Sequence, residues 1–99
     1  MVIVIGSITV QTESLADALK ISQEHVVRSR AEPGCISHAV HADAENPNRL
    51  VFVERWESMS ALEQHFQVPA SGEFITRLGS LTSTAPEMNI YQSSEIKRH

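Results

Sequence analysis

The chain has 99 residues, of which 41% are hydrophobic, and a formal charge of −4 at pH 7. That length suits one domain and not two, and the absence of any basic stretch beyond Lys97-Arg98-His99 argues against a nucleic-acid partner. No apolar run approaches the roughly 20 residues of a membrane span. The lone Cys35 excludes an internal disulfide and fits a reducing cytoplasm.

Residues 1–10 are rich in Val and Ile and apolar on both alternating faces, which predicts a strand covered on both sides. Without a charged leader, this start reads as a strand and not as a secretion signal. Ser14 and Asp17 have the spacing of a capping box. Leu15, Ala18, Leu19, Ser22 and Val26 follow on one helical face, with His25 and Ser29 at its edge. Arg28 and Arg30 suit the last turn of that helix, and Pro33-Gly34 ends it.

Residues 35–42 form the second predicted strand, with Ile36, His38 and Val40 on one side. The polar residues 43–48 read as a turn. The third strand, residues 49–57, separates Leu50, Phe52, Glu54 and Trp56 from Val51, Val53, Arg55 and Glu57. Ser58 can cap a second helix whose apolar stripe is Met59, Leu62 and Phe66, with His65 on the flank. Pro69 interrupts this helix, and Ser71 can restart one carrying Phe74, Ile75, Leu78 and Leu81. Residues 87–92 form the fourth strand. The expected domain is residues 1–92, followed by a polar tail over 93–99.

The order βαββαβ is the split pattern of α+β ferredoxin-like folds. Two helical segments cover only one face of a four-stranded sheet. Either Val2 and Val4 or Ile3 and Ile5 must therefore lie on the open face. An apolar sheet face of that size calls for cover, and a second copy of the chain packed sheet to sheet is the simplest cover.

Glu32-Pro33-Gly34-Cys35 followed by His38, then Glu54-Arg55-Trp56-Glu57-Ser58, Ala61-Leu62, His65, Pro69 and Phe74, together resemble the antibiotic biosynthesis monooxygenase superfamily, in its small quinol-monooxygenase-like branch. The resemblance runs from Val2 to about Tyr91. It implies a dimeric α+β barrel with a pocket between sheet and helices in each subunit. It also implies oxidation of a small aromatic quinol or polyphenol by O2 with no metal, flavin or other cofactor. Two departures are visible. The haem-degrading branch carries an asparagine near the end of the first strand, where this chain reads Gly6-Ser7-Ile8. Many relatives carry a tyrosine where this chain has His38.

Such chemistry needs a base, a polar hold on the substrate anion and a dry pocket. His65 is the first candidate for the base, since imidazole titrates near neutral pH; the plainer reading is a half-exposed helix histidine. Trp56 can wall the pocket and donate its indole N–H, or simply pack in the core. Glu54, between Phe52 and Trp56, either forms a structural ion pair or holds a proton for substrate. His38 is a core histidine or a substrate contact, and His25 can reach the same pocket. Phe66, Phe74 and Leu78 are candidate lining. No histidine pair has metal-ligand spacing, so no metal ligands are assigned. Two other functions fit the same residues: a non-oxidative isomerase or aldehyde-processing enzyme acting on a small polar carbonyl, and a non-catalytic ligand-binding dimer.

Overall fold

Alternation along the first strand decides which way the sheet faces. In the computed structural model, which describes residues 1–98, β1 (Val2–Thr9) buries Val2, Val4 and Ile8 beneath a helical layer, while Ile5, on the opposite face, stays exposed. The remaining elements are α1 (Leu15–Ser29), entered through a 3-10 turn at Thr12–Ser14, then β2 (Cys35–Asp43), β3 (Asn46–Trp56), α2 (Met59–Gln67), α3 (Pro69–Gly79) and β4 (Glu87–Gln92). The four strands form one antiparallel sheet in the order β2-β3-β1-β4. This is the expected α+β ferredoxin-like fold. No helix among the described residues is long and apolar enough to cross a membrane.

Register carries the predicted face of β3 across the sheet. Val4 and His38 both pair with Glu54, and Gly6 and Val40 both pair with Phe52, so these residues share the helix-covered side. Two apolar clusters form there. One gathers Ile8, Val10, Ala18, Ile21, Val26, Leu50, Phe52, Phe74 and Leu78; the other gathers Val2, Val4, Trp56 and Leu62. On β3 they are separated by one polar residue, Glu54. The opposite face carries Ile3, Ile5, Val51 and Val53 and no helix.

Several local expectations are corrected. Ile36 does not share the His38 side. Cys35 pairs with Trp56 and Ser37 with Arg55, so Ile36 is the extra residue of a bulge and lies 51% exposed. The turn between β2 and β3 shrinks to Ala44-Glu45, because Asp43 Oδ1 accepts the Glu45 amide at 2.8 Å and closes it. Asn46-Pro47-Asn48 therefore belongs to β3, and Pro47 is tolerated because the β1 ladder stops at Arg49. The Ser14 capping box does not form. The 3-10 turn already holds Ser14 near helical backbone angles, and its hydroxyl caps nothing.

At α2 the Ser58 hydroxyl does accept the Ala61 amide, at 3.2 Å. The apolar stripe, however, is turned by one position. Leu62 and His65 are buried, while Met59 and Phe66 are 40% and 43% exposed. Gly34 explains how close the helix sits: its φ is +80°, and a Cβ there would lie 2.5 Å from that of Ala61. Pro69 does not stop the chain from being helical but starts α3 at the first helical position, with extended Val68 before it, so Ser71 lies inside that helix. After β4, Ser93 bonds back to Met1, and residues 94–98 enter no helix or strand. The last residue of the predicted tail, His99, lies outside the described residues.

Candidate active site

Glu54 is the centre of a buried polar cluster that three other elements complete. The β2–β3 register sets His38 directly across from it. The inner face of α1 presents His25, and the inner face of α2 presents His65. All four side chains are buried. The ring centroids of the histidines lie 5.3 Å (His25–His38), 5.3 Å (His25–His65) and 5.6 Å (His38–His65) apart.

Each group is held by a definite contact. Glu54 Oε1 accepts the indole N–H of Trp56 at 3.0 Å and lies 3.2 Å from His38 Nε2 and 3.9 Å from His65 Nε2. Burial alone would raise its carboxyl pKa, but the contacts with His38, Trp56 and His65 outweigh burial and hold it below the usual value. A carboxylate is therefore the resting form. His38 Nε2 approaches that oxygen off the line of a hydrogen bond, and among the described residues His38 Nδ1 has no partner.

His65 Nδ1 lies 2.7 Å from Glu32 Oε1. A carboxylate only accepts, so Nδ1 carries a proton, and in the neutral form of the ring the lone pair is at Nε2. His25 is set the other way. Arg28 Nη2 stands 2.9 Å from its Nδ1, and a guanidinium only donates, so the neutral ring carries its proton at Nε2. Burial, with His38, His65 and Arg28 nearby, lowers the His25 pKa to about 3. The ring also stacks on Phe74, 4.0 Å between centroids and 7° from parallel. One buried imidazole thus offers a lone pair and its neighbour an N–H.

Beside this cluster is a cavity of about 390 Å³ lined by Gly6, Ile8, His25, Phe52, Glu54, His65, Phe66, Phe74, Leu78 and Met88 among others. Of the residues singled out from sequence, His65, Glu54, His25, Phe66, Phe74 and Leu78 all line it. Trp56 and His38 do not. Trp56 is fully buried behind His65, 4.7 Å between ring centroids, and reaches the site from behind through that ring and through its N–H on Glu54. The flat wall expected of Trp56 is supplied by Phe74 and Phe52 instead. His38 packs edge-on to Trp56 in the same layer.

Sequence reasoning missed Glu32 and Arg28, which fix the two imidazoles. Glu32 stands just before the Pro33-Gly34 turn, so its place in the chain signalled a turn and not a histidine partner. Reasoning from spacing also assigned no metal ligands, whereas the fold brings one nitrogen from each of His25, His38 and His65 within 4.8 Å of the others. They come from three different elements, so spacing carried no sign of them. Cys35 is half-buried beside the Trp56 cluster, and burial pushes its thiol pKa up, which does not favour a nucleophile.

A single helical layer on a four-stranded antiparallel sheet, with a buried histidine–carboxylate cluster opening on an apolar cavity, defines a small ferredoxin-like α+β protein with a ligand-sized site. Residues 1–77 match the antibiotic biosynthesis monooxygenase family, and the chain belongs to that family. An uncharacterized protein of Synechocystis sp. is 34% identical over 96 residues, which is 97% of this chain; the chain spans 65% of that relative's own length. A Deinococcus radiodurans structure, described as a candidate antibiotic biosynthesis monooxygenase, superposes with a TM-score of 0.94 at 24% identity and covers 100% of this chain and 98% of its own. A conserved protein of Methanosarcina mazei Go1 has a TM-score of 0.90 at 25% identity, over 94% and 92% of the two chains.

Proposed function

We propose that this chain is a cofactor-independent monooxygenase that oxidises a small aromatic quinol or polyphenol with O2, acting in the cytoplasm as a homodimer. The observation that carries the reading is His65. It is a buried imidazole oriented by Glu32, with its Nε2 lone pair kept free beside an apolar cavity. Carboxylate–imidazole pairs of this kind hold a general base in one tautomer.

In this reading His65 Nε2 takes the phenolic proton, and the His25 N–H holds the phenolate formed. Triplet O2 accepts one electron from the electron-rich ring. The resulting superoxide and aryloxyl radical then join at an unsubstituted ring carbon, and the peroxide anion formed takes the proton back from His65. Loss of water from that peroxide leaves a quinone, so one oxygen atom enters the product and the other leaves as water. The apolar walls of Phe52, Phe74 and Leu78 protect the radical pair and strengthen the hydrogen bond to the anion. Glu54 lines the cavity beside the two imidazoles, and Trp56 acts behind it, its indole N–H fixing the carboxylate.

The site argues against the two other readings. A polar-carbonyl isomerase calls for a polar pocket, but here the walls are mostly apolar, with Ile8, Phe52, Phe66, Phe74, Ile75, Leu78 and Met88. A purely passive binder gives no reason to bury and orient an imidazole with a carboxylate. The open sheet face with Ile3, Ile5, Val51 and Val53 supports the homodimer reading.

The test is O2 uptake by metal-stripped, flavin-free protein against a panel of small quinols and polyphenols. His65→Ala should slow turnover by about 10²–10⁴-fold with the fold intact. Trp56→Phe, which removes the N–H on Glu54 together with part of a fully buried ring, should slow it less. Absence of uptake across the panel, or full turnover by His65→Ala, refutes the reading.

A further inference from the structure

His25, His38 and His65 meet at one carboxylate although they come from three elements, α1, β2 and α2. We propose that the three imidazoles, with Glu54 as a fourth ligand, form a binding site for one first-row divalent transition metal of the zinc, copper(II) or nickel class.

The donor set points to that class. Imidazole suits Zn, Cu and Ni, whereas Mg and Ca prefer all-oxygen sites. The spacing is close to what coordination needs. The three ligand nitrogens lie within 4.8 Å of one another, and two imidazole nitrogens on a tetrahedral zinc stand about 3.4 Å apart. Rotations of the rings by roughly an ångström at the nitrogen close the difference. Glu54 Oε1 already sits at ligand-to-ligand distances from His38 (3.2 Å) and His65 (3.9 Å).

His38 gives the independent sign. Its side chain is 0% exposed, its Nε2 has only the off-line 3.2 Å approach to Glu54, and among the described residues its Nδ1 has no hydrogen-bond partner. A buried polar group left unsatisfied costs on the order of 1–3 kcal/mol and calls for an explanation. A cation at the centre of the triad gives one of the two nitrogens a partner. The outer contacts match as well. Glu32 accepts from His65 Nδ1 and aims its Nε2 lone pair, the arrangement that orients metal-bound histidines. Trp56 holds Glu54 in the same way.

His25 is the ligand that must adjust. Arg28 occupies its Nδ1 and keeps the proton on Nε2. Coordination at Nε2 moves that proton to Nδ1 and releases Arg28, which has a second acceptor in the Ala70 carbonyl at 3.3 Å. His25 should therefore contribute less affinity than His38 or His65. The inference does not rest on the oxygenase reading, because binding is read without substrate.

The experiment titrates the metal-stripped full chain with Zn²⁺ by calorimetry and with Cu²⁺ by tryptophan fluorescence. The chain has a single tryptophan, whose ring lies 4.7 Å from that of His65 and 6.2 Å from that of His38. The expected result is one Zn²⁺ per chain, no response to Mg²⁺, and quenching of Trp56 by Cu²⁺ that saturates at one equivalent. His38→Gln and His65→Gln should each weaken binding by about 100-fold or more, and His25→Gln by about 10-fold. His41→Ala, at an exposed histidine, should leave binding unchanged. If one variant fails to fold, the other and the wild-type quenching titration decide. No Zn²⁺ binding, binding without saturable quenching, or binding that survives both substitutions at His38 and His65 overturns the proposal.

Discussion

Replacing Gly34 by Ala tests how the candidate site is held in place. Gly34 has φ +80°, and an added Cβ would lie 2.5 Å from the Ala61 Cβ on the first turn of α2. A side chain in the left-handed region costs about 1–2 kcal/mol, and forcing a methyl into an occupied contact costs about 1–3 kcal/mol more. The sum, about 3 kcal/mol, is a large part of the 5–15 kcal/mol typical of a domain. For a chain of this size it corresponds to a melting point lowered by about 12–24 °C. The two causes separate in a double-mutant cycle. Ala61→Gly alone costs about 1 kcal/mol of helix propensity. Combined with Gly34→Ala, it removes the clash but not the backbone strain, so the pair should be more stable than additivity predicts by at least about 1 kcal/mol. Urea unfolding followed by far-UV circular dichroism at fixed protein concentration measures all four corners. A Gly34→Ala change below about 0.5 kcal/mol, or a cycle without coupling, refutes the argument that the Gly34–Ala61 contact sets the seat of α2.

Two further outcomes are expected. In metal-free protein, stability should fall as pH drops from 6.5 toward 3. The His25 pKa is lowered from 6.5 to about 3 on folding, so in that window the unfolded chain binds the proton and the folded chain does not. At about 1.4 kcal/mol per unit, the loss approaches roughly 5 kcal/mol. Denaturation midpoints that stay flat between pH 6.5 and 4 would contradict the buried neutral imidazole. On the open sheet face, Ile5→Lys should turn the proposed dimer into monomer at micromolar concentration in sedimentation velocity without unfolding it, because Ile5 has no helix above it. A monomeric parent chain would remove that interface.

The layout of the sheet was legible because strand alternation is a strong physical signal. Leu50, Phe52, Glu54 and Trp56 share a face for the period-2 reason alone, and all four are buried. The face of helix α2 is less legible, because residue type alone does not decide it. Met59 and Phe66 looked like core, but the Ser58 cap and the close seat at Gly34 aim Leu62 and His65 inward. Bulges carry no such signal, so Ile36 fell on the wrong side of β2. The individual site residues could be suspected one by one. Their meeting could not, because Glu32, His38 and His65 are distant in sequence and only the packing of β2 and α2 on β3 joins them.

That meeting comes at a cost, and the cost bears on what the site is for. The cluster stands between two apolar cores that could have been one. A leucine at position 38 would fill the space beside Trp56 without leaving unpartnered nitrogens, and an apolar residue at position 54 would spare a buried carboxylate. Stability alone gives no reason for four polar side chains there, so the reason lies in their chemistry. Both chemistries proposed above depend on one atom, the Nε2 lone pair of His65 that Glu32 keeps free. As a base, that atom must take a proton from substrate; as a ligand, it must hold a metal. It cannot do both at once, so a metal in the triad would shut off the cofactor-free reaction by occupying its base.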